Sequence, residues 1–240
     1  MVGLSIAAAL LIAAAPASAD VGDGSAFAAK VNLTIPLGSP VNVGPLAVSN
    51  TNGPTSASVA SLDAGLISAG VMETSAVHDE ATGEVKASAS TANVKIALGA
   101  LGGTVGLIQA SCSATQGQDQ DPITGTSSLA NVNLAGITLP LNPAPNTKID
   151  LLGLATLVLN EQIVNPDDGS LTVNAFHLTV NVLGVASGEV IISSATCGPA
   201  TPPIPLASGA GLWISLGLLG LAAIPISRAI IRHRRAITAP

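Results

Sequence analysis

The chain is almost without aromatic side chains. Tyrosine is absent, and its 240 residues hold two phenylalanines and one tryptophan. Trp213 lies in an apolar stretch near the C-terminus, so the long middle of the chain has only Phe27 and Phe176. Exposed rings make sugar-binding platforms and nucleic-acid stacking surfaces, and neither is expected here. Arginine is also missing between residues 20 and 203. That segment holds all fourteen acidic groups against Lys30, Lys86, Lys95 and Lys148, a balance that repels nucleic acid and anionic headgroups. No G-x-S-x-G elbow, H-E-x-x-H pair or twelve-residue calcium loop occurs. Cysteine is limited to Cys112 and Cys197, with no His or third Cys beside either to complete a metal site.

Long apolar runs are present, at the two ends. Leu4–Ala15 has the length of a signal-peptide core, and Ala17-Ser18-Ala19 gives the small-x-small pattern that predicts cleavage before Asp20. No Lys or Arg precedes the run. The positive charge of such a leader would come from the α-amino group or from residues upstream of Met1. From Ile204 to Ser227 no side chain is charged, and Arg228, Arg232, His233, Arg234 and Arg235 follow. About 20 apolar residues suffice for a membrane helix, and clustered arginines mark its cytoplasmic side. The expected plan is a signal peptide at 1–19, an ectodomain at 20–197, a Pro-rich spacer at 198–205, a transmembrane helix at 206–227 and a basic cytoplasmic tail at 228–240. The chain is then a single-pass protein of the cell membrane with its N-terminal domain outside. No L-P-x-T-G sorting motif precedes the span, so the helix itself is the expected anchor.

With so few rings, the ectodomain core must be Val, Leu, Ile and Ala, which bury little area each at roughly 25 cal/mol per Å². An added covalent tie is expected, and an oxidising compartment permits one between Cys112 and Cys197. Each cysteine ends an apolar run in a Ser/Ala/Thr setting, Ala110–Thr115 and Ser194–Pro199.

Between the ends the pattern is that of strands. Val94, Ile96 and Leu98 alternate with polar neighbours, Gly99, Gly102 and Gly103 punctuate, and Val105–Cys112 reads as the return strand. Leu178–Val182 alternates likewise, Gly184–Gly188 breaks it, and Glu189–Thr196 returns toward Cys197. The two stretches read as copies of one hairpin, with a fainter echo over Ser58–Ala76. Ala155–Val164 and Leu171–Leu183 flank the turn-rich Asn165–Ser170 as the clearest hairpin. In its second strand the apolar phase passes from odd (Leu171, Val173) to even (Phe176, Leu178, Val180), which predicts a bulge or a change of face. Asn32–Gly53 and Pro140–Asn146 read as loops or edge strands. The fold class is all-β, an antiparallel sandwich, with an irregular β-solenoid as the alternative.

Candidate chemistry is sparse. His78 sits in His78-Asp79-Glu80 before Thr82-Gly83, a polar turn. His177 sits where the strand changes phase, and acid–base work there would need a second group in reach. Asp119, Asp121, Asp167 and Asp168 could offer oxygen to calcium, though Asp is also an ordinary turn former. No cofactor is expected.

The run Asn146–Asp150, Val158–Gln162, Leu171–Leu178 and the closing Cys197-Gly198 resembles the signature order of the choice-of-anchor P family, over residues 56–198 and most closely over 146–198. The resemblance implies an exported domain of high-GC Gram-positive bacteria whose C-terminal anchors vary, with no established activity and no catalytic residues to transfer. It points to Asn160, Glu161 and His177 as the first patch to inspect. The leading expectation is a non-enzymatic surface domain with a structural or interaction role toward an envelope or protein partner. The alternatives are an extracellular hydrolase using His177 or His78 and a calcium-stabilised adhesive module.

Overall fold

The computed structural model describes residues 21–36, 38–116, 123–182 and 186–201. The expected signal peptide, membrane helix and basic tail lie outside the described residues, as do Asp119, Asp121 and residues 202–205 of the spacer. Among the described residues no helix is long and apolar enough to cross a membrane. In chain order the strands are β1 (Gly24–Thr34), β2 (Val41–Leu46), β3 (Ser49–Asn50), β4 (Ser56–Val59), β5 (Leu62–Asp63), β6 (Ile67–Ala69), β7 (Met72–His78), β8 (Val85–Ile96), β9 (Gly103–Ala114), β10 (Ile123–Leu134), β11 (Thr147–Leu151), β12 (Ala155–Val164), β13 (Leu171–Val182) and β14 (Ala186–Cys197). One 3-10 turn, Gly99–Leu101, links β8 to β9.

These strands form two antiparallel sheets. The first runs β11-β12-β13-β14-β1-β2, with β3 beside β1. The second runs β10-β9-β8, and the far edge of β8 carries β7 with β4 and β6 with β5. Alternate residues of both sheets face each other over a core of Leu, Ile, Val and Ala, with Phe176 its largest fully buried side chain. The architecture is therefore sandwich-like. Both hairpins read as copies are present: β8–β9 in the second sheet and β13–β14 in the first. Asn165–Ser170 turns β12 into β13 as expected, pairing Val164 with Leu171. Two strands extend beyond the stretches singled out by their alternation. Asn32–Thr34, expected in a loop or edge strand, belong to β1, which lies inside the first sheet between β14 and β2. β8 starts at Val85, well before the clear alternation at Asn93. In both stretches half of the inward positions are alanine, Ala26, Ala28 and Ala29 in β1 and Ala87 and Ala89 in β8 before Asn93, whose weak hydropathy blurs the period of two.

The phase change in β13 belongs to a feature that crosses both sheets. In the first sheet the ladders omit one row, Ala28, Ser193, Ala175 and Asn160, while the register on either side is unchanged. In the second sheet the omitted row is Asn93, Gly106 and Asn131. No residue is inserted, so this is a reversal of the pleat and not a bulge. Alternate strands make the reversal with a left-handed residue: Asn160 (φ 50), Ser193 (φ 57), Asn93 (φ 52) and Asn131 (φ 52). Asparagine tolerates this conformation better than most residues. The strand between them offers a small residue, and a Cβ on Gly106 would sit 2.9 Å from that of Asn131.

At this row the sheets clasp each other. Thr91 Oγ1 lies 3.1 Å from Ala28 O in the opposite sheet, and Ser193 Oγ lies 3.0 Å from Ile108 O in the other direction. The two hydroxyls are 3.0 Å apart, and both residues are fully buried. Two protons are thus shared among three contacts in a dry interior, where an unpaired carbonyl would be costly.

The second tie is covalent. Cys112 of β9 and Cys197 of β14 form a disulfide, with Cα atoms 5.9 Å apart and a sequence separation of 85. Cys112 pairs laterally with Ala87 and Gly125, Cys197 with Gly24 and Leu171. The bond therefore joins interior strands of the two sheets, at the ends of the two matching hairpins.

Candidate functional site

The sequence patch divides. Glu161 and His177 meet, and Asn160 does not join them. Asn160 donates from Nδ2 to Pro143 O (3.0 Å) and accepts from Gln162 Nε2 (3.2 Å), while Gln162 also reaches Gly125 O of the second sheet (2.8 Å). These amides fasten the 143–146 segment and the open side of β10. Glu161 points the opposite way, to the outer face of the first sheet.

There, charged and polar side chains from four adjacent strands form a continuous chain. Lys30 Nζ of β1 lies 3.1 Å from Glu189 Oε1 of β14, which also accepts from Asn32 Nδ2 (3.3 Å). Glu189 Oε2 lies 3.7 Å from His177 Nε2 of β13. His177 Nδ1 donates to Glu161 Oε2 of β12 at 2.8 Å. Asn174 Nδ2 donates to the same oxygen at 2.7 Å, and Ser194 Oγ in turn donates to Asn174 Oδ1 at 2.7 Å. The order is cation, anion, cation, anion, followed by an amide and a hydroxyl.

The electrostatics follow from this order. The Glu161 hydrogen bond raises the His177 pKa above its ordinary 6.5, against the opposing effect of burial, with further support from the charges of Glu161 and Glu189. The Glu161 carboxyl falls below its ordinary value, chiefly through the His177 hydrogen bond and despite burial. For Glu189, burial pushes upward, but Lys30, Asn32 and His177 together bring the carboxyl below its ordinary value. His177 is thus hydrogen-bonded to Glu161 through Nδ1, while its Nε2, 3.7 Å from Glu189 Oε2, is buried without a hydrogen bond. Its side chain and that of Glu161 are each 19% exposed. Acid–base work at His177 would need a reacting group within hydrogen-bond reach, and the charged side chains that face its ring nitrogens are Glu161 and Glu189.

The other candidates have structural partners. His78 ends β7 and does not lie in the turn, and its Nε2 is 2.8 Å from Thr201 Oγ1 where the chain leaves the sandwich. Asp168 accepts from Ser170 N (2.8 Å) and Asn165 Nδ2 (2.9 Å), and Asp167 N donates to Asn165 Oδ1. Ser170 is the main cause of the lowered Asp168 pKa. Among the described residues no three His, Cys, Asp or Glu side chains converge as metal ligands. Three hollows of about 450, 600 and 280 Å³ lie on the second sheet's outer face, lined by hydroxyls such as Ser75, Ser88, Ser90 and Ser111, away from His177.

Sequence reasoning missed Lys30, Asn32, Glu189 and Ser194. A signal existed for Lys30 and Glu189, each the one charged residue of its strand. Their meeting with His177 depends on strand order, which local pattern does not carry. No family model, curated protein or solved structure matches the chain.

Proposed function

We propose that this is an exported, membrane-tethered surface domain with a structural or interaction role in the cell envelope and no catalytic role of its own. The observation that carries the reading is the buried Cys112–Cys197 disulfide between the sheets, a device suited to an oxidising compartment. The sequence supplies the topology: a leader at 1–19, a span at 206–227 and an arginine tail inside. The resemblance of residues 146–198 to the choice-of-anchor P family fits the same reading, because its members are displayed outside the cell.

The ion ladder supports a non-catalytic role. Each of its charges has an opposite neighbour across the strands, and cross-strand pairing of this kind stabilises a sheet. A hydrolase would need a nucleophile brought to His177, whose one side-chain hydrogen bond is to Glu161. Partners are the membrane, through the C-terminal helix, and a protein or other envelope component.

The test is fractionation of expressing cells. The full chain should stay in the membrane pellet after alkaline carbonate, begin at Asp20, and lose its domain to protease added outside intact cells. A chain found in the soluble fraction with Met1 retained overturns the reading.

A further inference from the structure

The segment that leaves the sandwich is fastened more heavily than a plain linker requires. Cys197, the last residue of β14, is disulfide-bonded to the opposite sheet. Gly198 N then donates to Asp23 O (2.7 Å), and Pro199 O accepts from Gly22 N (2.8 Å), both at the start of β1. Thr201 N donates to Gly83 O (3.2 Å) in the β7–β8 turn, and Thr201 Oγ1 meets His78 Nε2. Gly83 has φ +73, and a Cβ there would collide with Thr201 O. Within five residues the chain is thus held to both sheets.

A pull on Thr201 would ordinarily peel β14 away one ladder pair at a time, starting from the Cys197 pairs with Gly24 and Leu171. The disulfide prevents this by passing the pull into β9, an interior strand of the second sheet. We propose that residues 197–201 form a strain-relief clamp, so that tension from a C-terminal tether loads both sheets together and residues 113–196 stay shielded. The clamp acquires its purpose from the membrane-tethered reading and rests on it in that respect.

Optical tweezers on the full chain in detergent, with handles at its two termini, test the clamp. In the oxidised protein, rupture should release about 280–310 Å less length than in the reduced protein, the reach of the 85-residue loop. At fixed load the Cys112→Ala/Cys197→Ala variant should rupture at least tenfold faster. Reduction of the wild type while it is held folded replaces this measurement if the variant does not fold. His78→Ala keeps the disulfide and loosens only the exit. It should speed rupture several-fold under load and leave unloaded melting nearly unchanged. Equal rupture rates in oxidised and reduced protein overturn the clamp, as does a His78→Ala effect no larger under load than in melting. Failure of the tether reading shows separately, as a soluble chain on fractionation, and leaves the force measurement interpretable.

Discussion

Loss of the Cys112–Cys197 bond should cost this domain a large part of its stability, and the size of the loss follows from the loop it closes. With the cysteines 85 positions apart in sequence, the chain-entropy relation gives about 4.6 kcal/mol at 25 °C. Domains of ordinary size are stable by only about 5–15 kcal/mol, and 1 kcal/mol moves the melting temperature by about 2–4 °C for 150–250 residues. Replacing both cysteines with alanine should therefore lower the melting temperature by about 9–18 °C, read by circular dichroism on the detergent-solubilised chain. Both cysteines are buried, so part of any loss could come from packing. The single variants separate the two causes. The tie is lost once whichever sulfur goes, so Cys112→Ala, Cys197→Ala and the double variant should agree within about 1 kcal/mol. A double variant losing twice what each single loses, or a loss below about 1 kcal/mol in all three, would refute the cross-link account.

The remaining predictions address the ion ladder, the sheet contact and the pleat reversal. His177 binds its proton more tightly folded than unfolded, so its contribution is full below pH 6.5 and is lost as pH rises through its raised folded value; that of Glu161 is full above pH 4.5 and is lost as pH falls through its lowered one. The stability advantage of wild type over Glu161→Gln, from urea midpoints across pH, should therefore be greatest between those values and shrink on the alkaline side, whereas a flat difference would count against the ladder. Gly125→Ala should destabilise by about 1–3 kcal/mol in urea, because the new methyl collides with Val173 and comes within 3.1 Å of Leu171 across the sheets; an unchanged midpoint would mean the sheets can part there. Asn131→Gly should be tolerated, whereas Asn131→Val should cost about 1–2 kcal/mol or more, since a β-branched residue resists the left-handed backbone; equal effects would argue against the reversal.

How far the sequence revealed this molecule depended on what each segment puts into its alternation. The β8–β9 and β13–β14 hairpins were legible because Val94, Ile96, Val180 and Val182 are strongly apolar against polar neighbours, and both cysteines fell at matching ends. β1 was less legible, because Ala26, Ala28 and Ala29 fill its first inward positions and only Val31 and Leu33 are strongly apolar. The odd-to-even change in β13 was visible, but a single strand cannot tell a bulge from a reversal shared by its neighbours. The pairing of Glu161 with His177 needed the β12–β13 register, which the short turn at Asn165–Ser170 constrains. Glu189 and Lys30 needed the β14–β1 pairing, which brings together residues 159 apart in sequence and leaves no local trace.

The pleat reversal accounts for the site as well as the clasp. In a strand of strict period two, Asn174 and His177 would face opposite sides, being three residues apart. The same parity separates Glu189 from Ser194, five apart. Because β13 and β14 reverse at Ala175 and Ser193, all four side chains lie on the outer side of the sheet, Asn174 and Ser194 buried there within the hydrogen-bonded chain, while Phe176, Ile192 and Ser193 lie in the interior. β12 reverses at Asn160, which brings Glu161 to the outer face beside them. One row of left-handed and small residues thus places Ser193 to bond across the core and Glu161 to receive His177. Straightening that row would take apart the inner clasp and the outer ion ladder together, so the two are one structural feature seen from opposite faces of the first sheet.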